Sequence, residues 1–172
     1  MISFYHNYKS SILFTLKVVI LYLLWFPLYD NYLSEIIDPW LTQRITLDTA
    51  TILNLIGYKV HVLIQHTYGS LGYENKSLGI AYMCNGLILW VVFILFILSY
   101  TGPIKHKLWF IPLGVIGIYI INVLRCVSLV IIHIHKPEYL AFNHKYTFTL
   151  AVYSFIILLW AIWINYFCND KK

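Results

Sequence analysis

Charge is what this chain has least of. Asp, Glu, Lys and Arg make up 11% of its 172 residues, against 60% hydrophobic residues. That balance excludes a soluble core wrapped in a polar shell and marks an integral membrane protein. Basic residues outnumber acidic ones by 12 to 7, yet they are scattered and form no Lys/Arg cluster, which argues against a nucleic-acid partner. There is no Pro-, Gly- or Ser-rich tract and no internal repeat, so neither a flexible linker nor a repeat array is expected. Three cysteines, Cys84, Cys126 and Cys168, are unevenly spaced and do not suggest a disulfide framework. The first apolar stretch lacks a small-x-small cleavage site and continues into Trp25-Phe26-Pro27, so it reads as an uncleaved anchor rather than a secretory signal.

What is present is apolar sequence in long runs. Four spans are expected, at residues 11–29, 78–100, 108–134 and 146–167, the last extending back to Pro137 if its helix starts early. Each matches the roughly 20 residues a helix needs to cross a hydrocarbon core of about 30 Å. Lys9, Lys105, Lys107, Lys171 and Lys172 fall on one side if the spans alternate. The opposite side carries Asp30, Glu35, Asp38, Asp48, Glu74 and Glu138, diluted by Arg44, Lys59, Lys76, Lys136 and Lys145. The first side is then cytoplasmic, with both termini inside.

The external segment 30–77 carries structure of its own. Thr42 to Ile56 has apolar residues among polar ones, suiting an amphipathic helix at the interface, and Gly57 would stop it. Val60, Val62 and Ile64 then alternate with Lys59, His61 and Leu63, and Gly69, Gly72 and Glu74-Asn75 offer turn chemistry before Ser77 to Tyr82. That pattern predicts a short β-hairpin running into the second span, its edges covered by protein or wet. The expected fold over 1–172 is therefore an all-α membrane protein, a four-span helical bundle with an external amphipathic interfacial helix and a short extracytoplasmic β-hairpin.

Arg125 interrupts the apolar run from Trp109 to Ile134. A charge at that depth costs at least about 2.5–3.5 kcal/mol on insertion scales, so something has to face it. Every acidic residue lies outside the expected spans, which leaves Cys84 and His144 as candidates. At 1.5 Å per residue Cys84 lies roughly 9 Å and Arg125 roughly 13 Å inside the external ends of their spans. His144 enters near the start of the fourth. All three fall in the outer half of the bilayer, where a small bundle can bring them round one cleft. The residue types suit thiol chemistry. An imidazole accepts the thiol proton and returns it to a leaving amine, and a permanent cation stabilises a thiolate or an oxyanion. Among the neighbours, Gly86 removes a side chain where a substrate backbone would approach. Asn122 shares the helical face of Arg125 and is placed to orient the guanidinium or contact a peptide. Asn143, before His144, is placed to hold its ring.

Cys84-Asn85-Gly86 at the head of a span, Asn122-Val123-Leu124-Arg125 inside the next and His144 before the last resemble the signature blocks of the exosortase/archaeosortase family. The lead-in is similar too, with Leu55 to Tyr58, an alternating stretch, then Gly79-Ile80-Ala81-Tyr82-Met83. The resemblance implies a multi-pass cysteine protease-transpeptidase of prokaryotic inner membranes, its site on the extracytoplasmic side. Its substrates would be exported proteins carrying a C-terminal motif, a transmembrane helix and a basic tail, with transfer to a surface glycan or lipid acceptor. Cys84 would be the nucleophile, His144 the acid/base and Arg125 the electrostatic stabiliser, with Asn85, Gly86, Asn122 and Asn143 in support. No cofactor is implied.

Blander readings compete. A buried cysteine is usually an inert small hydrophobe. Cys126 points about 100° away from Arg125 around its helix, and Cys168 lies at the cytoplasmic end. Arg125 alone would also fit a non-catalytic assembly or transport subunit that binds lipid or a polyanionic glycan. The same thiol would serve an acyltransferase with an acyl-lipid donor. His61, His66, His133 and His135 lack metal-ligand spacing and read as interfacial. Trp25, Trp40, Trp109, Trp160 and Trp163 fall near span ends as part of an aromatic belt, and only Trp90 is deep.

Overall fold

A computed structural model describes residues 2–65 and 68–168. His66, Lys171 and Lys172 lie outside them. Helix α1 (Ile2–Leu28) passes through a π-helical turn at Tyr29–Leu33 into α2 (Ser34–Leu55). The residues from Lys9 to Leu55 therefore form one helical run of 47 residues, instead of an anchor followed by a separate helix. The wide turn falls between two prolines, Pro27 and Pro39, whose missing N–H groups loosen the ladder there. Asn31 Nδ2 takes up the Pro27 carbonyl at 2.7 Å.

One stripe of α2 is buried, comprising Asp38, Leu41, Thr42, Ile45, Thr46, Thr49, Ala50 and Leu53. The spacing of three and four is that of a single helical face. The helix ends in a Schellman motif, with Tyr58 N–H on Leu53 C=O at 2.9 Å and Gly57 N–H on Asn54 C=O at 3.1 Å. Gly57 sits at φ 99°, the conformation that requires glycine there.

The expected hairpin is a three-stranded antiparallel sheet of order β1-β2-β3, from β1 (His61–Ile64), β2 (Tyr68–Tyr73) and β3 (Lys76–Ala81). Glu74-Asn75 does turn the chain, between Tyr73 and Lys76. Gly69 and Gly72 do not; both lie inside β2. Gly69 is needed because β2 rests directly on α2, and a Cβ at that position would lie 2.1 Å from Thr46 Oγ1.

The expected second span is also altered. Residues 76–81 are committed to the sheet, a 3₁₀ turn covers Tyr82–Cys84, and helix α3 (Leu87–Ser99) has only 13 residues. Hydropathy counts apolar residues without regard to backbone pairing, so a buried strand and a short helix read as one span. Helix α4 (Ile104–His135) and a run from Pro137 to Phe167 complete the chain. That run contains a 3₁₀ turn (Pro137–Tyr139), α5 (Leu140–Phe142), a π turn (Asn143–Thr147), α6 (Phe148–Ile162) and a last π turn (Trp163–Phe167). With Lys9–Leu55, these make three helices long and apolar enough to cross a membrane.

Two cores result. One gathers α2, the sheet and α4 around Leu41, Ile45, Leu53, Leu71, Ile80 and Val130. The other joins α3, α4 and α6 around Phe93, Ile97, Ile118, Ile156 and Trp163. In the second, Gly114 lets α4 approach the Phe93 ring, which an added Cβ would meet at 2.2 Å. Trp163, expected in the interfacial belt, is fully buried with its N–H on the Thr101 carbonyl at 3.2 Å.

The contact between β2 and α2 makes a stability prediction. Gly69→Val is expected to lower the thermal midpoint in detergent by overpacking, at a cost of about 1–3 kcal/mol. Gly72→Ala, whose Cβ would meet nothing nearer than His61 O at 3.8 Å, is expected to stay within about 0.5 kcal/mol of wild type.

Candidate active site

Cys84 is the last residue of the 3₁₀ turn that joins β3 to α3. It therefore stands ahead of the helix, and not inside one as the span reading expects. The chain reverses its twist here. Gly86 adopts φ 80°, and a Cβ on it would lie 3.0 Å from Asn122 Nδ2. The missing side chain of Gly86 thus admits Asn122, not a substrate backbone.

Two asparagines hold this junction. Asn122 on α4 is 1% exposed; its Nδ2 donates to the Cys84 carbonyl at 3.0 Å and its Oδ1 accepts from the Arg125 guanidinium at 3.2 Å. Asn85 accepts the Leu87 N–H on Oδ1 at 2.9 Å, satisfying an amide of the first turn of α3. Its Nδ2 donates to Asp38 Oδ1 at 2.8 Å and reaches Thr42 Oγ1 at 3.4 Å. Asn85 is 3% exposed, and through Asp38 and Thr42 it braces the Cys84 turn against α2. Asn143 turns elsewhere. Its Nδ2 donates to the Tyr139 carbonyl one turn back, at 2.9 Å, and not to the His144 ring.

Sequence reasoning missed Asp38. Placed outside the spans by pattern, it is 8% exposed and lies within the Lys9–Leu55 helix, where Tyr29 Oη donates to its second oxygen. Asp48 is similar, accepting from Tyr119 Oη on α4 at 2.5 Å. Acidic residues do enter the helices, therefore, but among the described residues none forms an ion pair with Arg125. The signal for Asp38 was its place on the stripe that continues through Leu41, Thr42 and Ile45.

Around the thiol the structure brings three expected residues together. Cys84 Sγ lies 3.6 Å from His144 Nε2, and the Arg125 terminal nitrogen lies 3.2 Å from the same Nε2. His144 is carried by the π turn at Asn143–Thr147, a widened segment of the kind that recurs at functional sites. A guanidinium only donates, so Nε2 faces Arg125 with its lone pair and the ring proton sits on Nδ1. A thiol S–H on the other side competes for that lone pair. Arg125 Nε is buried without a partner among the described residues. The three side chains share a cleft of about 270 Å³ with Leu78, Gly79 and Ile80 of β3. Cys126 also borders the cleft, yet is 4% exposed and packed in the first core. Cys168 donates to the Thr101 carbonyl at the far end of α3. His135, read as interfacial, pairs with Tyr58 Oη at 2.7 Å.

This geometry separates two asparagines. Asn122→Ala strands the Cys84 carbonyl and one guanidinium N–H, and is expected to cost about 1–3 kcal/mol and to alter the rate at which iodoacetamide alkylates Cys84. Asn143→Ala is expected to leave that rate unchanged, as measured by mass spectrometry of the Cys84 peptide.

No curated protein and no solved structure matches the chain. The model of one family, described as transmembrane exosortase, matches residues 2–163. That match includes both asparagine braces, the cysteine, the arginine and the histidine. The chain belongs to the transmembrane exosortase family.

Proposed function

We propose that the chain is a membrane cysteine peptidase with transpeptidase capacity, cleaving C-terminal sorting signals of exported proteins near the outer face of a prokaryotic inner membrane. The observation that carries this reading is the convergence of Cys84 Sγ and the Arg125 guanidinium on one nitrogen of His144. A structural cysteine needs neither group.

In the proposed reaction Cys84 Sγ attacks the scissile carbonyl carbon and its proton passes to His144 Nε2. Nε2 cannot bear that proton and accept from Arg125 at once, so the proton's arrival releases a guanidinium N–H. The freed donor turns to the oxyanion forming on the carbonyl oxygen, where a fixed cation is most effective. Collapse breaks the C–N bond, His144 returns the proton to the departing amine, and a thioester remains on Cys84. Water or an acceptor amine then releases the product. Asn122 is a positioning residue here, linking the Cys84 main chain to Arg125.

Orientation follows from charge. Phe14 of α1 packs on Tyr100, so Lys9 and Lys17 lie toward the end of the bundle where α3 finishes and α4 begins with Lys105 and Lys107. Cys84 lies at the opposite end of α3. Under the positive-inside rule the basic end is cytoplasmic and the cleft faces outward.

The test is C-terminal mass spectrometry of surface and secreted proteins from host cells carrying wild-type chain, Cys84→Ala, His144→Ala or Arg125→Lys. Proteins with a C-terminal membrane tail are expected to keep it in Cys84→Ala. Processing is expected to fall on the order of 10²-fold or more in the other two. Lysine keeps the charge but loses the planar fork. Unchanged C-termini with stably inserted Cys84→Ala would sink the peptidase reading, and an Arg125→Lys variant of full activity would favour a simple lipid contact.

A further inference from the structure

The sheet ends beside the candidate site. Gln65 N–H donates to Tyr68 C=O at 2.9 Å, so Tyr68, Ser70 and Gly72 direct their main-chain groups to β1, and Gly69, Leu71 and Tyr73 direct theirs to β3. Those three are opposite Ile80, Leu78 and Lys76. The alternate residues of β3, Ser77, Gly79 and Ala81, therefore turn their N–H and C=O groups the other way. No further strand lies there, because β3 is an outer strand of the sheet. The Ala81 carbonyl opens the 3₁₀ turn that follows, but among the described residues no side chain or loop backbone takes up the outward groups of Ser77 and Gly79. Gly79 is exposed and borders the cleft that holds Cys84, Arg125 and His144. An open strand edge at a membrane is costly, and nature closes such edges with protein or water.

We propose that the free edge of β3 is the docking strand for the substrate, pairing through Gly79 with the extended backbone of the peptide to be cleaved. This rests on the peptidase reading above and states how the peptide is held. An extended peptide fits better than a lipid tail or a sugar, because the edge offers donor and acceptor at every second residue, the spacing of a partner strand. Space is available as well, in the cleft of about 270 Å³ that Gly79 borders. The strand leads through a single turn to Cys84, so a peptide laid along it runs past the thiol. Recognition by main-chain groups is largely independent of sequence. Selectivity then comes from the alternate side chains that point into the cleft against Leu129, Leu140 and Ala141.

The test uses full-length chain in membranes and a sequence-neutral probe, tri-alanyl chloromethyl ketone, in which the Cys84 sulfur displaces chloride and forms a thioether. Alkylation of the Cys84 peptide is followed by mass spectrometry, relative to iodoacetamide, which needs no backbone pairing. Gly79→Pro removes an outward N–H without touching the ladder to β2. Gly79→Ala keeps that N–H, and Ser77→Pro makes the same deletion at a residue outside the cleft. Gly79→Pro is expected to react roughly threefold to tenfold more slowly than Gly79→Ala with the ketone and as fast as Gly79→Ala with iodoacetamide, while Ser77→Pro matches wild type with both. In the wild-type chain, N-methylation of the probe is expected to slow alkylation at alternate residues only, a readout that holds even if Gly79→Pro misfolds. An unchanged ketone rate in a folded Gly79→Pro, or equal slowing at every N-methyl position, would overturn the docking strand. If the strand pattern appears but Cys84→Ala leaves all cellular C-termini unaltered, the cleavage reading fails and the peptide-binding edge stands.

Discussion

A strand that stops and a helix that starts within a few residues leave main-chain groups without partners, and near a membrane no water can be counted on to supply them. The whole site depends on how this chain solves that problem at Tyr82–Leu87. Asn122 reaches across from α4 to the Cys84 carbonyl, and Asn85 folds back on the first amide of α3. Both side chains are almost wholly enclosed, which makes each hydrogen bond strong and each loss expensive. The thiol owes its position to these amides. So does the guanidinium, because the same Asn122 that pins the cysteine also receives Arg125. Cysteine and arginine are thereby mounted on one support, and their relation does not rest on the flexibility of a long side chain.

Behind that support stands a polar seam unusual for an apolar protein. Asp38, Thr42, Thr46 and Thr49 are all buried on one face of α2, among leucine and isoleucine. Thr46 returns its hydroxyl to the Thr42 carbonyl, which keeps the helix self-sufficient while presenting a narrow surface on which β2 can lie. Asp38 is held between Tyr29 and Asn85, so the wide turn after α1 and the cysteine turn before α3 meet on one carboxylate. Packing of small and polar residues, rather than bulk hydrophobicity, is the usual way helices associate where lipid competes for apolar surface.

Much of this was legible in the residues, and the remainder failed for identifiable reasons. Arg125 announced itself as a charge in an apolar run, and its companions Cys84 and His144 followed from type and placement; the structure brings the three together. Long helices at both ends of the chain and the glycine stop at Gly57 were also readable, because hydropathy and φ > 0 are local properties. Pairing is not local. Residues 76–81 are apolar enough to pass for the start of a span, and only the ladder with β2 makes them a strand. Gly69 looked like a turn residue because its true partner, Thr46, is remote in sequence. Asp38 was misplaced for a related reason, since a helix that does not break at Asp30 carries its acidic residues into the interior.

Helix length sets where this machinery stands relative to the lipid. At 1.5 Å per residue, Lys9–Leu55 runs about 70 Å, more than twice a hydrocarbon core of roughly 30 Å. Counted up α4 from Ile104, Arg125 lies about 31 Å along; counted back from Phe167, His144 lies about 34 Å along its own run. Both distances equal one thickness of oil. In the orientation proposed above, with those helix ends at the inner face, the charge that hydropathy places inside the membrane rides at the waterline, where the proposed thioester would meet the solvent or acceptor that releases it.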